Sequence, residues 1–259
     1  MKPDKEYTGR ATIRMYRADC MELMKSGKKW DLAIIDPPYG LGEKISQGGN
    51  EKSKSTVNFH NVYNKSSAWD KAPDKYYFQA LFNSTKNQII CGGNYFPEIW
   101  TKPVRGIIWW DKHTPVDNFS AGELLWTSFS KPARKFDHMY TNIIDGNSHR
   151  LKVNHPTSKP ISLYKWLLKN YAPKCKYCKG NGSYYEDVAG DGGSRMMMHC
   201  DECNGTGNGT ILDTHGGSMS IAIACWDLGF DLDICELDKG YFDAAVKRFE
   251  GHISQQVLF

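Results

Sequence analysis

Apolar and polar positions along the chain fall into short blocks whose period predicts alternating strands and helices. Asp31-Leu32-Ala33-Ile34-Ile35 is an unbroken apolar, β-branched run, which predicts a buried strand. Asp36-Pro37-Pro38-Tyr39-Gly40 ends it abruptly, because two consecutive prolines can neither serve a ladder nor continue a helix. Between Asp74 and Thr85, Tyr77, Phe78, Leu81 and Phe82 recur at helical spacing. Asn87 to Cys91, Arg105 to Asp111 and Glu123 to Phe129 read as strands, and Ile161 to Tyr171 as an amphipathic helix begun by Pro160. Beyond residue 209 the order is strand (Thr210 to Asp213), glycine turn, helix (Ser218 to Leu228), strand (Asp231 to Cys235) and helix (Lys239 to Phe249). That order is the βαβ signature of a parallel sheet with crossover helices. The pattern predicts an α/β fold over 1–172 and 209–259, with a small insertion at 173–208. Residues 41–73 and 130–160 read as polar loops, too long for idle connections.

Composition changes this picture little. With 259 residues, 40% apolar and 24% charged, the chain has material for a sizeable core, and neither disorder nor collagen-like structure is expected. No apolar run approaches the roughly 18 residues a membrane span needs. The first residues lack the apolar stretch of a secretory signal, so a cytoplasmic location is expected. Net charge is a mild +4. Its distribution says more: Lys131, Arg134, Lys135, Arg150, Lys152 and Lys159 face two acids, Asp137 and Asp145, in one stretch. Such a strip is either a solvated loop or the footprint of a polyphosphate partner.

Two segments carry candidate cofactor chemistry. In an open α/β sheet, ligands bind beyond the C-terminal strand ends, where helix N-termini offer free N–H groups. Asp213-Thr214-His215-Gly216-Gly217-Ser218 is a strand-end carboxylate followed by glycines that allow close approach to the backbone. Glu236 stands 23 positions further on, at the end of the next strand, where a carboxylate can accept two ribose hydroxyl hydrogen bonds. Together they suggest a nucleoside cofactor. Plain capping by Asp213 and Glu236 is the alternative.

Asp36-Pro37-Pro38-Tyr39 suits a different partner. The prolines fix a carboxylate and a carbonyl in one direction beside an aromatic face. Two acceptors on an exocyclic amino group would draw it toward tetrahedral geometry and free its lone pair to attack an electrophilic methyl. A base inside a duplex cannot present itself so and must be flipped out, at a few kcal/mol, with Tyr39 as the stacking platform.

Of eight cysteines, Cys20, Cys91, Cys225 and Cys235 sit among apolar neighbours, as packing residues do. The other four form a doubled C-x-x-C-x-G-x-G: Cys175 and Cys178, then Cys200 and Cys203, with 21 residues between the knuckles. That spacing suits one tetrahedral zinc held by four thiolates, with no open position for a catalytic water. The module resembles the zinc hub of J-domain chaperones. Lys174, Lys176, Lys179 and Arg195 leave DNA contact open to it.

The ordered motifs resemble those of S-adenosylmethionine-dependent adenine-N6 DNA methyltransferases, in particular the permuted β group, in which Asp-Pro-Pro-Tyr precedes the cofactor loop. The resemblance runs through Ala18-Asp19-Cys20, Asp31 to Gly40, Ala121 to Thr127, His155 to Pro160, Ile211 to Ser218 and Glu236 to Phe249. It implies a Rossmann-like class I methyltransferase fold acting on double-stranded DNA. Asp36 and the Pro37 carbonyl would bind the target amino group, with Pro38 stiffening the corner and Tyr39 stacking on the base. Asp213, Gly216, Gly217 and Ser218 would hold the methionine end of the cofactor, Glu236 its ribose, and Asp19 and Cys20 its adenine, with Asp36 nearby. Thr157 and Lys159 would cover the methionine carboxylate. The family's Asp-Pro-Phe and a later glycine are replaced here by Asp213-Thr214-His215 and Ser220. Base reading would fall to 41–73, 130–155 and the cysteine module. RNA-adenine or DNA cytosine-N4 methylation, or an inactive zinc-dependent nucleic-acid-binding protein, are the alternatives. The group often forms dimers. Target sequence and any restriction partner are not legible.

Overall fold

A computed structural model describes residues 1–41, 70–113, 120–139, 158–187, 195–203 and 205–256. Its centre is a nine-stranded sheet. In chain order the strands are β1 (Lys5–Thr8), β2 (Thr12–Tyr16), β3 (Trp30–Ile35), β4 (Thr85–Cys91), β5 (Ile107–Asp111), β6 (Gly122–Thr127), β7 (Arg134–Asp137), then β10 (Ile211–Asp213) and β11 (Leu232–Cys235). They lie in the order β1-β2-β11-β10-β3-β4-β6-β5-β7. The five strands β2, β11, β10, β3 and β4 are mutually parallel. β6 runs antiparallel to both β4 and β5. The C-terminal ends of the five parallel strands therefore share one edge with the end of β5 and the start of β6.

The apolar run of β3 is continuous because both sheet faces are covered. Leu32 and Ile34 point into a core with α3 (Ile161–Tyr171), α4 (Ser220–Leu228) and α5 (Lys239–Gln256). Ala33 and Ile35 point the other way, against α1 (Cys20–Met24) and α2 (Lys75–Ser84). α2 starts where Asp74 accepts hydrogen bonds from the N–H groups of Tyr76 and Tyr77, satisfying two otherwise orphaned donors. Among the described residues, no helix is long and apolar enough to cross a membrane.

The α/β expectation and its mostly parallel sheet hold, with corrections. The stretch read as polar loop at 130–160 contains β7, an edge strand parallel to β5, whose inward residue Phe136 alone is buried. One buried residue in four gives no alternation to detect. The β1–β2 hairpin and α1 carried no prediction. α4 begins at Ser220 rather than Ser218, after a turn with Met219 in the left-handed region, and α5 runs past Phe249 to Gln256. The cysteine segment holds an unforeseen antiparallel hairpin, β8 (Ser183–Asp187) with β9 (Arg195–His199). Thr157, Arg150, Lys152, Asp145 and most of both long loops lie outside the described residues.

Candidate active site

The shared edge of the sheet opens into a cavity of about 610 Å³. Its wall includes Asp36, Pro37, Pro38 and Tyr39 from the end of β3, and Asp19 and Cys20 from the turn after β2. Gly216, Gly217 and Ser218 after β10, Glu236 after β11 and Lys159 before α3 also line it. The structure thus brings together residues that are up to 217 positions apart (19 to 236). Asp213 is different. It is 1% exposed and lies beneath the cavity wall, where Oδ1 accepts the His215 N–H at 3.0 Å. Burial pushes its carboxyl up to about 8.

The turn after β10 is held by backbone. Gly216 N–H donates to the Cys235 carbonyl at 2.7 Å, and a Cβ at Gly216 would stand 3.1 Å from that same oxygen. Glu236 Oε2 accepts the Gly217 N–H at 2.7 Å and Oε1 the Asp238 N–H at 2.9 Å. Burial raises the Glu236 carboxyl. His215, replacing the expected phenylalanine, bonds through Nδ1 to Thr214 Oγ1 at 2.9 Å, and Thr214 Oγ1 lies 2.6 Å from the Tyr77 hydroxyl. Its ring meets Tyr77 edge-on, and burial brings the imidazole down to about 4, so it is neutral near pH 7. Gly216→Asp would place a Cβ against the Cys235 carbonyl and add a carboxylate to a cavity already lined by Asp19, Asp36, Asp70, Glu236 and Asp238. If the cavity takes S-adenosylmethionine, as the sequence resemblance implies, calorimetric titration should show its affinity falling on the order of a hundredfold.

The opposite end of the cavity is a buried charge cluster. Lys159 is 7% exposed, and its ammonium contacts Asp36 Oδ2 at 2.7 Å, Glu123 Oε1 at 3.2 Å and the Tyr39 hydroxyl at 3.2 Å. The Tyr39 hydroxyl lies 2.8 Å from both Asp36 Oδ1 and Glu123 Oε1. Lys112, just past β5, reaches Glu123 Oε2 at 3.0 Å. Burial raises the Asp36 carboxyl, Lys159 only partly offsetting it, with Glu123 adding to the rise. Burial would also raise Glu123, but Lys159 and Lys112 outweigh it and hold that carboxyl below its ordinary value.

Tyr39 does not present two free faces. Its ring stacks on Tyr95 at 4.8 Å and 20°. Gly92 makes room for it: at φ +64°, a Cβ there would sit 2.4 Å from the Tyr39 ring. Tyr95, Glu123, Lys112 and Tyr77 escaped the sequence reading as functional residues. An acid opening the apolar run Glu123-Leu124-Leu125-Trp126 was the available signal for Glu123.

The four paired cysteines also converge. Their sulfurs lie within 4.8 Å of one another, with Cys175 to Cys200 at 3.8 Å and Cys178 to Cys203 at 3.7 Å. Four thiolates at about 2.3 Å from a tetrahedral zinc stand about 3.8 Å apart. Gly182 and Gly207 donate N–H groups to Cys178 and Cys203 sulfurs at 3.2 and 3.3 Å. The donor set and spacing fit a structural metal.

The basic strip is partly self-compensated where described. Lys135 pairs with Asp111 and Asp137 at 2.8 and 2.7 Å, and Lys131 donates to the Asn170 carbonyl.

No protein-family model matches the chain, and no curated protein sequence matches it. Among solved structures, the chain is similar to M1.HpyAVI in complex with SAM, at 18% identity over 92% of this chain and 98% of that one, with a TM-score of 0.48. It is also similar to the PvuII cytosine-N4-specific DNA methyltransferase, at 13% identity over 92% of this chain and 86% of that one, with a TM-score of 0.49.

Proposed function

We propose that the chain transfers a methyl group from S-adenosylmethionine to the exocyclic N6 of an adenine flipped out of double-stranded DNA. The observation that carries this reading is the meeting, in one cavity, of the Asp36-Pro37-Pro38-Tyr39 corner with the Gly216-Gly217 turn and Glu236. The glycine turn, where a Gly216 Cβ would stand 3.1 Å from the Cys235 carbonyl, and the carboxylate of Glu236 suit a nucleoside with a charged tail. Bound there, the cofactor would supply an electrophilic sulfonium methyl. Asp36 and the Pro37 carbonyl would accept the amino N–H groups and turn the nitrogen lone pair toward that carbon. Tyr39, backed by Tyr95, would form the aromatic wall for the base. Glu236 would bind ribose, while Asp19 and Cys20 would flank the adenine. Thr157, from the resemblance alone, stays assigned to the methionine carboxylate. For Lys159, engaged by Asp36 and Glu123, we favour a role at the reacting corner over that carboxylate. Asp213 would act from beneath, through the His215 backbone. Cys175, Cys178, Cys200 and Cys203 would hold one structural zinc that folds the 173–208 insertion.

Incubation with cofactor and random-sequence duplex, followed by digestion to nucleosides, tests the reading. N6-methyladenine is the expected product; methylcytosine in its place removes the base assignment, and methylation confined to structured RNA competitors removes the polymer. Because each phosphate contact releases counterions, duplex affinity should fall steeply as salt rises from 50 to 200 mM, by at least about a hundredfold if four or more contacts form. Fluorescence anisotropy reads that slope.

A further inference from the structure

We propose that Glu123 is a positioning residue for the methyl transfer: it divides the Lys159 charge with Asp36 and anchors the Tyr39 hydroxyl, so that Asp36 stays basic enough to take the amino proton. The inference rests on the methyltransferase reading above and extends it to a residue outside the cavity wall. In that reaction the carbon–sulfur bond of the sulfonium donor breaks as the nitrogen–carbon bond forms. The donor leaves as a neutral thioether, and the cationic nitrogen surrenders one proton to the Asp36 carboxylate. A carboxylate paired with a buried lysine alone would be a poor acceptor, because its charge would be neutralised at hydrogen-bond distance.

Glu123 changes that arrangement in two ways. Its Oε1 draws the Lys159 ammonium at 3.2 Å, against 2.7 Å for Asp36, so one cation serves two anions. It also offers an alternative acceptor for Tyr39. The hydroxyl has one proton and lies 2.8 Å from an oxygen of each carboxylate. When that proton points to Glu123, Asp36 Oδ1 keeps a lone pair for the target amino group. Lys159, together with Lys112 on the far oxygen, keeps Glu123 itself ionised.

The groups facing Asp36 come from every neighbouring element: Lys159 before α3, Tyr164 on α3, Tyr39 on its own loop, Cys91 at the end of β4, Glu123 on β6 and Asp213 on β10. Burial keeps Tyr164, Tyr39 and Cys91 protonated, and Asp213 titrates only toward about 8. Glu236, whose carboxyl burial also raises, would contribute to the acidic limb of the pH–rate profile, so the Asp36 share is read from the titration of its own carboxyl.

Glu123→Gln keeps the shape and an acceptor oxygen and removes the charge. The Asp36 share of the acidic limb should move to lower pH by about one unit, since a like charge beside Asp36 is gone. kcat should fall about tenfold with cofactor Kd unchanged, because Glu123 does not line the cavity. Carboxyl NMR titration of the protein without cofactor or DNA should show the same downward movement for Asp36, independent of turnover. Lys112→Gln should move both readouts the opposite way, and it serves as the second variant if Glu123→Gln does not fold. An acidic limb and an Asp36 titration that stay put in the folded variants overturn the role of Glu123. A wild-type protein that never methylates, with Asp36 titrating as described, would instead remove the underlying reading.

Discussion

Asp36→Ala is expected to abolish the proposed methylation, to less than about a thousandth of the wild-type rate, while leaving S-adenosylmethionine affinity within a few fold. The magnitude follows from the two things Asp36 would do, fixing the amino nitrogen and accepting its proton, each of which contributes 10² to 10⁴ in comparable chemistry. Affinity persists because the contacts proposed for the nucleoside come from Gly217, Glu236 and the turn after β2, on strands other than β3. Stability should drop as well. Removing one partner of a buried ion pair typically costs about 3–5 kcal/mol, and Glu123, still 3.2 Å from Lys159, should hold the loss near the low end of that range. Single-turnover rates, calorimetry and thermal unfolding on the same preparation separate the three effects. Residual turnover within tenfold of wild type would assign the chemistry to another group.

If zinc fills the four-cysteine site, a strong chelator should melt the β8–β9 hairpin and leave the large sheet intact. Among its described residues the module has almost no apolar interior: its buried cluster consists of the four cysteines themselves. Tyr177, Tyr185, Met196 and Met197 stay exposed. Without a core, the hairpin β8–β9 has no source of stability comparable to the roughly 10 kcal/mol that four thiolates gain on binding zinc. The two cores against the sheet draw on none of these residues. Elemental analysis should give one zinc per chain, and hydrogen exchange after chelation should show protection lost in β8 and β9 and retained in β3, β4 and β10. Cys203→Ser should behave like the chelated protein. Protection unchanged after metal removal would mean that the thiols fold the segment unaided.

What the sequence disclosed depended on how local each signal was. β3 was legible because Leu32 to Ile35 must be apolar on both faces, and the prolines after it leave one conformational option. The helix at Ile161–Tyr171 was legible from its period. Asp36, Gly216 and Glu236 could be named because each sits at a strand end, where a parallel sheet gathers its ligands. Lys112 could not, and for Glu123 the only local signal was an acid opening an apolar run. Their place beside Asp36 follows from β6 running antiparallel between β4 and β5, a pairing that no local period encodes. Asp213 was read from its strand-end position as holding the methionine end of the cofactor; its side chain is buried under the turn, where it accepts the His215 N–H. Lys159 was found, but its partners depend on the same pairing of β4, β5 and β6.

The edges of the cysteine insertion have a topological consequence. Lys174 and Asn208 form a bridge, Gly209 N–H donates to the Pro173 carbonyl at 2.8 Å, and Cys175 N–H to that of Gly207 at 2.9 Å. The chain leaves and returns through a single doorway, so the whole excursion could be exchanged for a two-residue bridge, or for another guest, without rethreading the host.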